Sequence, residues 1–550
     1  MPTFLWGQQP LSDKEAISLK ITKDATAMKL EALEKDLHHS RNPEYLYCQY
    51  ACSVYREEIE AEKIRYQEQR LLPNETLDDF AAQIKALEKT FKKIEILTKS
   101  KGLSLVRYLA VKSMKEEDMN IQALLAKEAY HINLINGENP YNPLIYEAIY
   151  KALTRLEINN NNAGFNTFNQ LPEGRTRIGR FRQLQIGTGD KKIYTIGSDG
   201  LLMKWDFDSY GDKKAPKPEI ISSDFAVSRV LDKSSNDKYL AIAGDSSKIL
   251  IFEAKNGQLF KELAHIERRI WDLKYTPNGA AIITLEDLVI KDNFRKTAIY
   301  YTNVSDGVSR LIGKMPHKIT HIEVSKDGKY LVGIGKSSKV FIWNLQNQSL
   351  EFLLKPPRSN RHPTAAAFDP TGRFLAVGYQ DGAIMIWDLN EVKNNPAYFP
   401  ERFIYHQSKI SDIAFSNDGS LLIAGSLDKT ATLWFFRDKK HLGANNDKEF
   451  PYLSHWYRSI QLDDHSDWVT VVAFSHDGTK VITGTANGKM KLWEVDMALY
   501  ANQVCSLIDS ANKKLTYSTW KKYLNAYTTN PDEEKFYFNY FTQRNIDRCP

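Results

Sequence analysis

The sequence predicts an α+β multidomain chain: an N-terminal all-α helical domain over 1–160, a seven-bladed β-propeller over 165–497, and a short C-terminal extension over 500–550. Three observations carry that reading. An interval of fifteen residues from a hairpin glycine to a closing Trp occurs four times: Gly328 to Trp343, Gly372 to Trp387, Gly419 to Trp434 and Gly478 to Trp493. Apolar residues before position 160 recur at helical spacing. The last fifty residues are too aromatic for a free tail.

The repeat is plainest at Ile410–Trp434, ISDIAFSNDGSLLIAGSLDKTATLW, and returns at Val469–Trp493, VTVVAFSHDGTKVITGTANGKMKLW. Each copy is a short apolar run, a polar turn ending in Asp-Gly, a second apolar run, a small turn and an alternating strand. Asp-Gly between apolar runs is a strong hairpin signal. Two more copies keep the interval with Asp at the turn, Asp190 to Trp205 and Asp237 to Phe252. A seventh begins at Ile270–Gly279, and its third strand is expected at Thr297–Asn303 after a longer loop. A four-stranded repeat of about 40–50 residues is the signature of a propeller blade.

These blades resemble WD repeats, with worn dipeptides. Trp-Asp survives at Trp205-Asp206 and Trp387-Asp388. The resemblance implies a bracing hydrogen-bond chain of His, strand hydroxyl, turn Asp and Trp. In the sixth blade that chain would use His406, Ser426, Asp428 and Trp434. The seventh has His465 but Asn487 at the Asp position, so its chain is expected to be weaker or rewired. These residues are read as structural, because a satisfied buried polar network fixes packing without doing chemistry.

The helical region comes first in the chain. Leu11–His39, Glu44–Arg70 and Thr76–Lys99 carry apolar stripes, followed by shorter helices at Leu103–Lys115, Ile121–Ile135 and Pro143–Leu156. The polar second half of Glu44–Arg70 would suit an oligomerisation or docking arm; the oligomeric state is left open. Asn159–Asn162 reads as a linker, and Phe165–Leu171 as the outer strand that closes the last blade. The insertion Arg437–Asp464 carries Phe450, Tyr452, Trp456 and Tyr457, and a loop of that length is more often functional than its short neighbours.

The tail and the pre-propeller helices resemble segments of bacterial proteins related to STAND signalling NTPases. The matching tail positions are Cys505, Leu515, Thr516, Trp520, Tyr523, Cys549 and Pro550, with Lys513 where Asn is usual. The resemblance covers about residues 100–550 and speaks to architecture. Such proteins often carry a P-loop domain upstream, and none is expected here. Gly335-Lys336-Ser337 lacks the required earlier Gly, since Tyr330 stands there, and it falls at a turn between strands.

Composition excludes several classes. A hydrophobic share of 42% with 26% charged residues is that of an ordinary globular chain. There is no apolar run long enough to span a membrane. MPTFLWGQQPLSDKEA lacks the basic start and apolar core of a signal peptide, so the cytoplasm is the expected compartment. Four cysteines do not make a disulfide scaffold, and a bond between Cys505 and Cys549 is not expected in the cytosol. Cys48 and Cys52 share a helix face, but His38 and His39 are not at zinc-ligand spacing. No nucleophile motif or paired carboxylates stand out. No cofactor, metal or catalytic residue is expected.

The net charge of +6 is uneven: residues 1–160 hold 22 Lys and Arg against 24 Asp and Glu, so the excess lies beyond them. Part of it is patterned. Counting back ten residues from the turn glycine, or its Asp substitute, reaches the entry to the first strand in six copies; the second copy, with an irregular hairpin, is left out. The residues there are Arg180, Arg269, Lys318, His362, Lys409 and Trp468. A ring would bring these positions together at one channel mouth. Crowded cations imply an anionic partner, an acidic or phosphorylated peptide, with nucleic acid the lesser reading. Trp468 would be its aromatic anchor. Against this stands an exposed position free to drift, with Glu267 and Asp467 cancelling the field. The expected function is a non-catalytic protein-interaction scaffold. The alternatives are a sensor or regulatory subunit of a separately encoded signalling NTPase, and an enzyme with carboxylates or His clustered at the channel mouth.

Overall fold

A computed structural model describes residues 103–508 apart from 207–217, 437–455 and shorter stretches of one to six residues, together with Lys85, Ser518 and Tyr523. The expected helices at Leu11–His39, Glu44–Arg70 and Thr76–Lys99 lie outside the described residues, Lys85 excepted, as do Cys48 and Cys52. The chain divides into two compact units, one of residues 1–163 with 497–550 and one of residues 164–496.

The described part of the first unit is helical, at 103–114, Met119–Ile135, Pro143–Asn159 and Met497–Leu507. The third of these starts where the sequence sets it. The Asn142 side chain accepts from the Leu144 amide at 3.1 Å, and Pro143 occupies the first turn, where no amide donor is needed. Ile145, Ile149, Ala152, Leu153 and Leu156 recur at three- and four-residue spacing and are buried. The Tyr500 ring packs against Tyr146 and Tyr150 at 5.8 and 5.9 Å. Tyr523 of the tail is buried; its carbonyl accepts from the Tyr108 hydroxyl at 2.6 Å, and its own hydroxyl donates to Glu116. This tail residue therefore packs among the helices, as its aromatic character requires. The remaining tail aromatics lie outside the described residues.

Cys505 is buried and disulfide-bonded, and the other three cysteines, Cys549 among them, lie outside the described residues. Disulfides persist in oxidising compartments, so the cytoplasmic placement stays an expectation. Among the described residues no helix is long and apolar enough to cross a membrane.

The second unit is a ring of seven four-stranded antiparallel sheets. The innermost strands are Phe181–Ile186, Val230–Lys233, Ile270–Tyr275, Ile319–Val324, Pro363–Phe368, Ile410–Phe415 and Val469–Phe474, each beside the next, with the last returning to the first. Thr167–Phe168 closes the seventh blade by pairing with Met490–Glu494. That blade is thus built from both ends of the unit.

The fifteen-residue interval has a physical cause. The turn glycines Gly328, Gly372, Gly419 and Gly478 all have φ between 70° and 74°, a conformation in which a Cβ is strained. Asp190 and Asp237 take the same place at φ 57° and 56°, which short polar side chains tolerate. Asp418 and Asp477 seal their turns by accepting from the Ser416 and Ser475 hydroxyls at 2.5 and 2.6 Å. The third blade's long hairpin pairs Ala281–Val289 with Arg295–Asn303, so its third strand starts two residues earlier than expected. Of the Arg437–Asp464 insertion, Trp456–Leu462 is the outer strand of the sixth blade, and Trp456 and Tyr457 pair with Phe436 and Phe435.

The bracing chains differ from the sequence expectation. In the seventh blade the Thr483 hydroxyl joins His465 Nε2 at 2.8 Å and accepts from Trp493 Nε1 at 3.0 Å. The first blade repeats the second link, Trp205 Nε1 donating to Thr195 at 2.9 Å. The hydroxyl lies ten residues before the Trp in both. Ala424 stands there in the sixth blade. Ser426, two residues on, bonds instead to the Ser408 carbonyl and accepts from the Asp428 amide, each at 3.2 Å. His406 Nδ1 reaches Asp428 at 3.0 Å, and its ring meets Trp434 edge-on at 6.2 Å. Burial pushes the Asp428 carboxyl up, but hydrogen bonds from His406 and Thr430 outweigh it and hold it well below the usual range. The seventh blade therefore carries the continuous chain, although it lacks the turn Asp.

Candidate partner-binding site at the channel mouth

The six strand-entry residues occupy equivalent places. The carbonyls of Arg180, Arg269, Lys318, His362, Lys409 and Trp468 accept from the amides of Ser198, Asp287, Lys336, Gln380, Leu427 and Ala486. Each acceptor therefore sits where the second strand ends. In an up-and-down meander these ends share one face of the ring with the turns between second and third strands. That face is the mouth.

The structure adds three residues that the spacing misses. Arg229 immediately precedes Val230–Lys233 in the second blade, where its amide donates to the Ala243 carbonyl. Counting back ten from Asp237 reaches Val227, two residues before Arg229, and this blade lacks the one-residue register shift that the other six share. Arg182 and Trp271 are the residues skipped by that shift in the first and third blades. The fifth and sixth blades have Thr364 and Ser411 there, whose hydroxyls donate to the next blade's strand at 2.6 Å each. A small hydroxyl residue staples blades; Arg182 and Trp271 do not fit that role. The run of Arg175, Arg177, Arg180 and Arg182 was the available sequence signal.

Trp271 seats three cations. The Lys318 ammonium lies 3.8 Å from its ring centroid, and the Arg269 and Arg229 guanidinium carbons lie at 5.2 and 5.6 Å. Cations are drawn to the negative ring face, and partial desolvation strengthens the attraction. The ring is fixed by Nε1 donating to Asp287 at 2.8 Å. Asp245 pairs with Arg269 at 2.7 Å and Arg229 at 2.9 Å. Its carboxyl, raised by burial, is brought below the usual range by those arginines.

Arg180, Arg182 and Lys409 are a second group. Desolvation lowers Arg182, and the charges of Arg229 and Arg180 lower it further, against weaker opposing effects of Asp245 and Asp199. Desolvation and the Arg180 charge lower Lys409. His362 is exposed beside buried Arg361, which pairs with Asp381 at 2.7 Å. Trp468 is 45% exposed, and Asp467 accepts from its amide. No ring or cation contact among the described residues joins His362 or Trp468 to Trp271. Glu267 lies outside the described residues.

Below the mouth the channel is polar. Asp232, Asp272 and Asp412 accept from the next blade's amides, Tyr275, Ile322 and Val472, at 2.7, 2.9 and 2.9 Å. Gln183 of the first blade accepts from the Leu231 amide of the second and donates to Asp272 of the third at 3.3 Å, so one side chain links three inner strands. His321 meets Asp272 at 2.8 Å and Lys274 meets Glu323 at 2.6 Å. Burial raises Asp232 and Asp412 to about 6. These carboxylates bind blade to blade. Among the described residues no group of three or more His, Cys, Asp or Glu could hold a metal.

Comparison with known proteins agrees with this architecture. The model of the WD domain, G-beta repeat, matches residues 356–388, 400–434 and 457–494, the stretches that end the fifth, sixth and seventh blades' third strands at or beside Trp387, Trp434 and Trp493. Three of the seven blades thus match WD40 repeats. Rat apoptotic protease-activating factor 1 is 26% identical over 204 residues, 37% of this chain and 14% of that protein. Pre-mRNA-processing factor 19 homolog 2 of Arabidopsis thaliana is 23% identical over 263 residues, 47% of this chain and 45% of that protein. The LST8 homolog of Drosophila melanogaster is 23% identical over 274 residues, 47% of this chain and 75% of that protein. The chain thus spans less than half the length of the first two. A WD40 ring of this kind is typical of protein-interaction scaffolds.

Proposed function

We propose that this WD40 chain is a non-catalytic scaffold whose channel mouth takes an acidic segment of a protein partner. The observation that carries the reading is the Trp271 seat, where Arg229, Arg269 and Lys318 converge on one ring and Asp245 is the shared counter-charge of the two arginines. Crowded like charges favour an anionic ligand, and an aromatic ring among them supplies apolar contact. Arg180, Lys409 and His362 extend the basic surface, and exposed Trp468 offers an anchor on the far side of the mouth. A WD40 face gives no chemistry by itself, so the inference rests on the site and not on the fold.

The second reading is a sensor or regulatory subunit of a separately encoded signalling NTPase. The match to a protein named apoptotic protease-activating factor 1 favours it, together with the resemblance of the tail and pre-propeller helices to STAND-related bacterial proteins. The two readings share a binding mouth and differ in the partner. Partner recovery from lysate across a salt series, with wild type and a folded Arg269→Glu, Lys318→Glu, Lys409→Glu variant, tests them. The scaffold reading expects loss of salt-sensitive partners in the variant, and equal recovery contradicts it. Recovery of an NTPase favours the second reading.

A further inference from the structure

We infer that the outer edges of the second, third and fourth blades form a lateral docking surface for an amphipathic helix of a protein partner, its apolar stripe edged by carboxylates. The surface lies on the rim of the ring and shares no residue with the channel mouth.

Of the eight large apolar side chains that the described residues of the ring expose, six belong to these three edges. Leu259 and Phe260 stand on the outer strand Leu259–Ala264 of the second blade. Val308, 64% exposed, precedes Ser309–Met315 of the third blade, which carries Leu311. Leu350 and Leu353 stand on Ser349–Leu354 of the fourth. Exposed hydrophobic residues scattered singly need no explanation, whereas a contiguous group marks an interaction site. These edges are contiguous. The Lys261 ammonium of the second blade donates to the Val304 and Ser305 carbonyls of the third at 2.8 and 2.7 Å. A Cβ on Gly307 would lie 3.4 Å from the Leu263 side chain, so the third blade's last turn rests on the second blade's edge. A Cβ on Gly313 would meet the Trp343 ring nitrogen at 3.7 Å, which brings the third edge against the fourth blade. Phe260 is also held in place, its ring centroid 4.5 Å from that of Tyr239.

The edges and their charges say what fits. Each outer strand carries a one-residue bulge, at Phe260, Ile312 and Glu351. Bulges turn an edge away from strand addition, so a partner here meets side chains and not open backbone. A helix satisfies its own backbone groups and presents apolar side chains as a stripe. The carboxylates around the patch are already engaged. Asp306 accepts from the Val308 amide at 2.8 Å, Glu351 accepts from Asn344 at 2.7 Å, and Glu262 pairs with Lys248 at 2.7 Å. The exposed cations of the central edge are not. Arg310 lies over the Tyr301 ring at 4.7 Å, and neither it nor Lys314 pairs with a carboxylate among the described residues. An apolar surface with two unanswered cations is complementary to an apolar stripe edged by Asp or Glu.

The test uses the full chain and two labelled helical peptides of one composition, read by fluorescence anisotropy. One places Leu at three- and four-residue spacing with Glu on both flanks; the other scrambles that order and loses the stripe. Both carry the same charge, so the scrambled peptide reports any binding by charge alone, and the difference between the two reports the rim. Wild type is expected to bind the striped peptide at least ten-fold tighter than the scrambled one. The Val308→Ser, Leu311→Gln variant should bring the two within two-fold and leave the scrambled peptide's affinity unchanged. The Arg310→Gln, Lys314→Gln variant should weaken the striped peptide at least three-fold more than the scrambled one. Melting temperature reports folding, and a Leu259→Gln, Leu350→Gln variant replaces the first if that does not fold. Equal binding of the two peptides by wild type overturns the docking surface, as does a stripe preference that survives both apolar variants. A preference untouched by Arg310→Gln, Lys314→Gln overturns the carboxylate-edged assignment. Without a stripe preference, a dimer in sedimentation that Val308→Ser, Leu311→Gln dissolves assigns the patch to a second copy and overturns the proposal. Binding to phosphatidylcholine–phosphatidylserine vesicles that the same variant abolishes, again without a stripe preference, assigns it to a lipid surface and overturns it equally.

Discussion

The Lys318 ammonium stands 3.8 Å from the centroid of the Trp271 ring, a contact that joins the strand entry of the fourth blade to the shifted residue of the third. Arg269 and Arg229 share the same ring. Trp271→Ala should therefore cost about 1–3 kcal/mol of stability, from a half-buried ring and its cation contacts. It should also weaken binding of an acidic peptide several-fold. Urea melts and anisotropy titrations check both. Full stability with unchanged binding would show that the ring is a bystander.

Trp434 is 2% exposed and Trp468 is 45% exposed. Trp434→Ala should cost about 3–5 kcal/mol, as truncation of a core aromatic does. Trp468→Ala should cost far less. Equal losses in thermal melts would contradict the proposed role of Trp468 as a surface anchor.

Much of this was legible because the blade hairpin is a rigid local object. A turn needing positive φ fixes glycine or aspartate, and the closing Trp follows at a set distance. The six strand-entry residues could be read off by counting for the same reason. Arg229 could not: it lies eight residues before Asp237 and not ten, in a blade that also omits the one-residue shift. Arg182 and Trp271 were hidden by the opposite effect: the shift inserts a residue that alternation assigns to neither face. The sixth blade was expected to link Ser426 to Trp434; in the first and seventh blades the hydroxyl that meets the Trp lies two residues earlier, where the sixth blade has Ala424, and only packing shows this.

Thr483 joins His465 and Trp493 in one chain. Thr483→Val should cost about 1–3 kcal/mol, because it strands two buried polar groups. Ser426→Ala, whose hydroxyl serves only nearby backbone, should cost about 1 kcal/mol or less. Denaturant melts of the two variants decide it. A larger loss at Ser426 would restore the sixth blade as the better-braced one.

Acid affects the channel and the brace in opposite directions. Burial raises Asp232 and Asp412 to about 6, whereas an unfolded Asp titrates at roughly 4. Between those values the folded chain holds protons that the unfolded chain has lost. These two groups therefore add stability as pH falls from 7 toward 5. His465 is lowered to about 4, by burial first and by the Lys491 charge second. Its contribution is present above its unfolded value of roughly 6.5 and is lost as pH falls toward 4. The Asp232→Asn, Asp412→Asn double variant should lose the acid gain, becoming less stable at pH 5 relative to pH 7 than wild type by about 2 kcal/mol. Urea melts at the two pH values measure this, and a matching pH profile in the variant would contradict it.

The most direct test asks which face of the ring binds. A labelled glutamate-rich peptide is titrated into the wild type, the mouth variant Arg269→Glu, Lys318→Glu, Lys409→Glu, and an opposite-face variant. The last is Lys238→Glu, Lys255→Glu, Lys326→Glu, three exposed lysines on the hairpin turns away from the mouth. Both variants change the net charge equally, so a general charge effect would weaken both alike. The account predicts that the mouth variant loses at least ten-fold in affinity and most of the salt dependence, while the opposite-face variant stays within about two-fold. Equal losses in the two variants, or a larger loss from the opposite face, would contradict it.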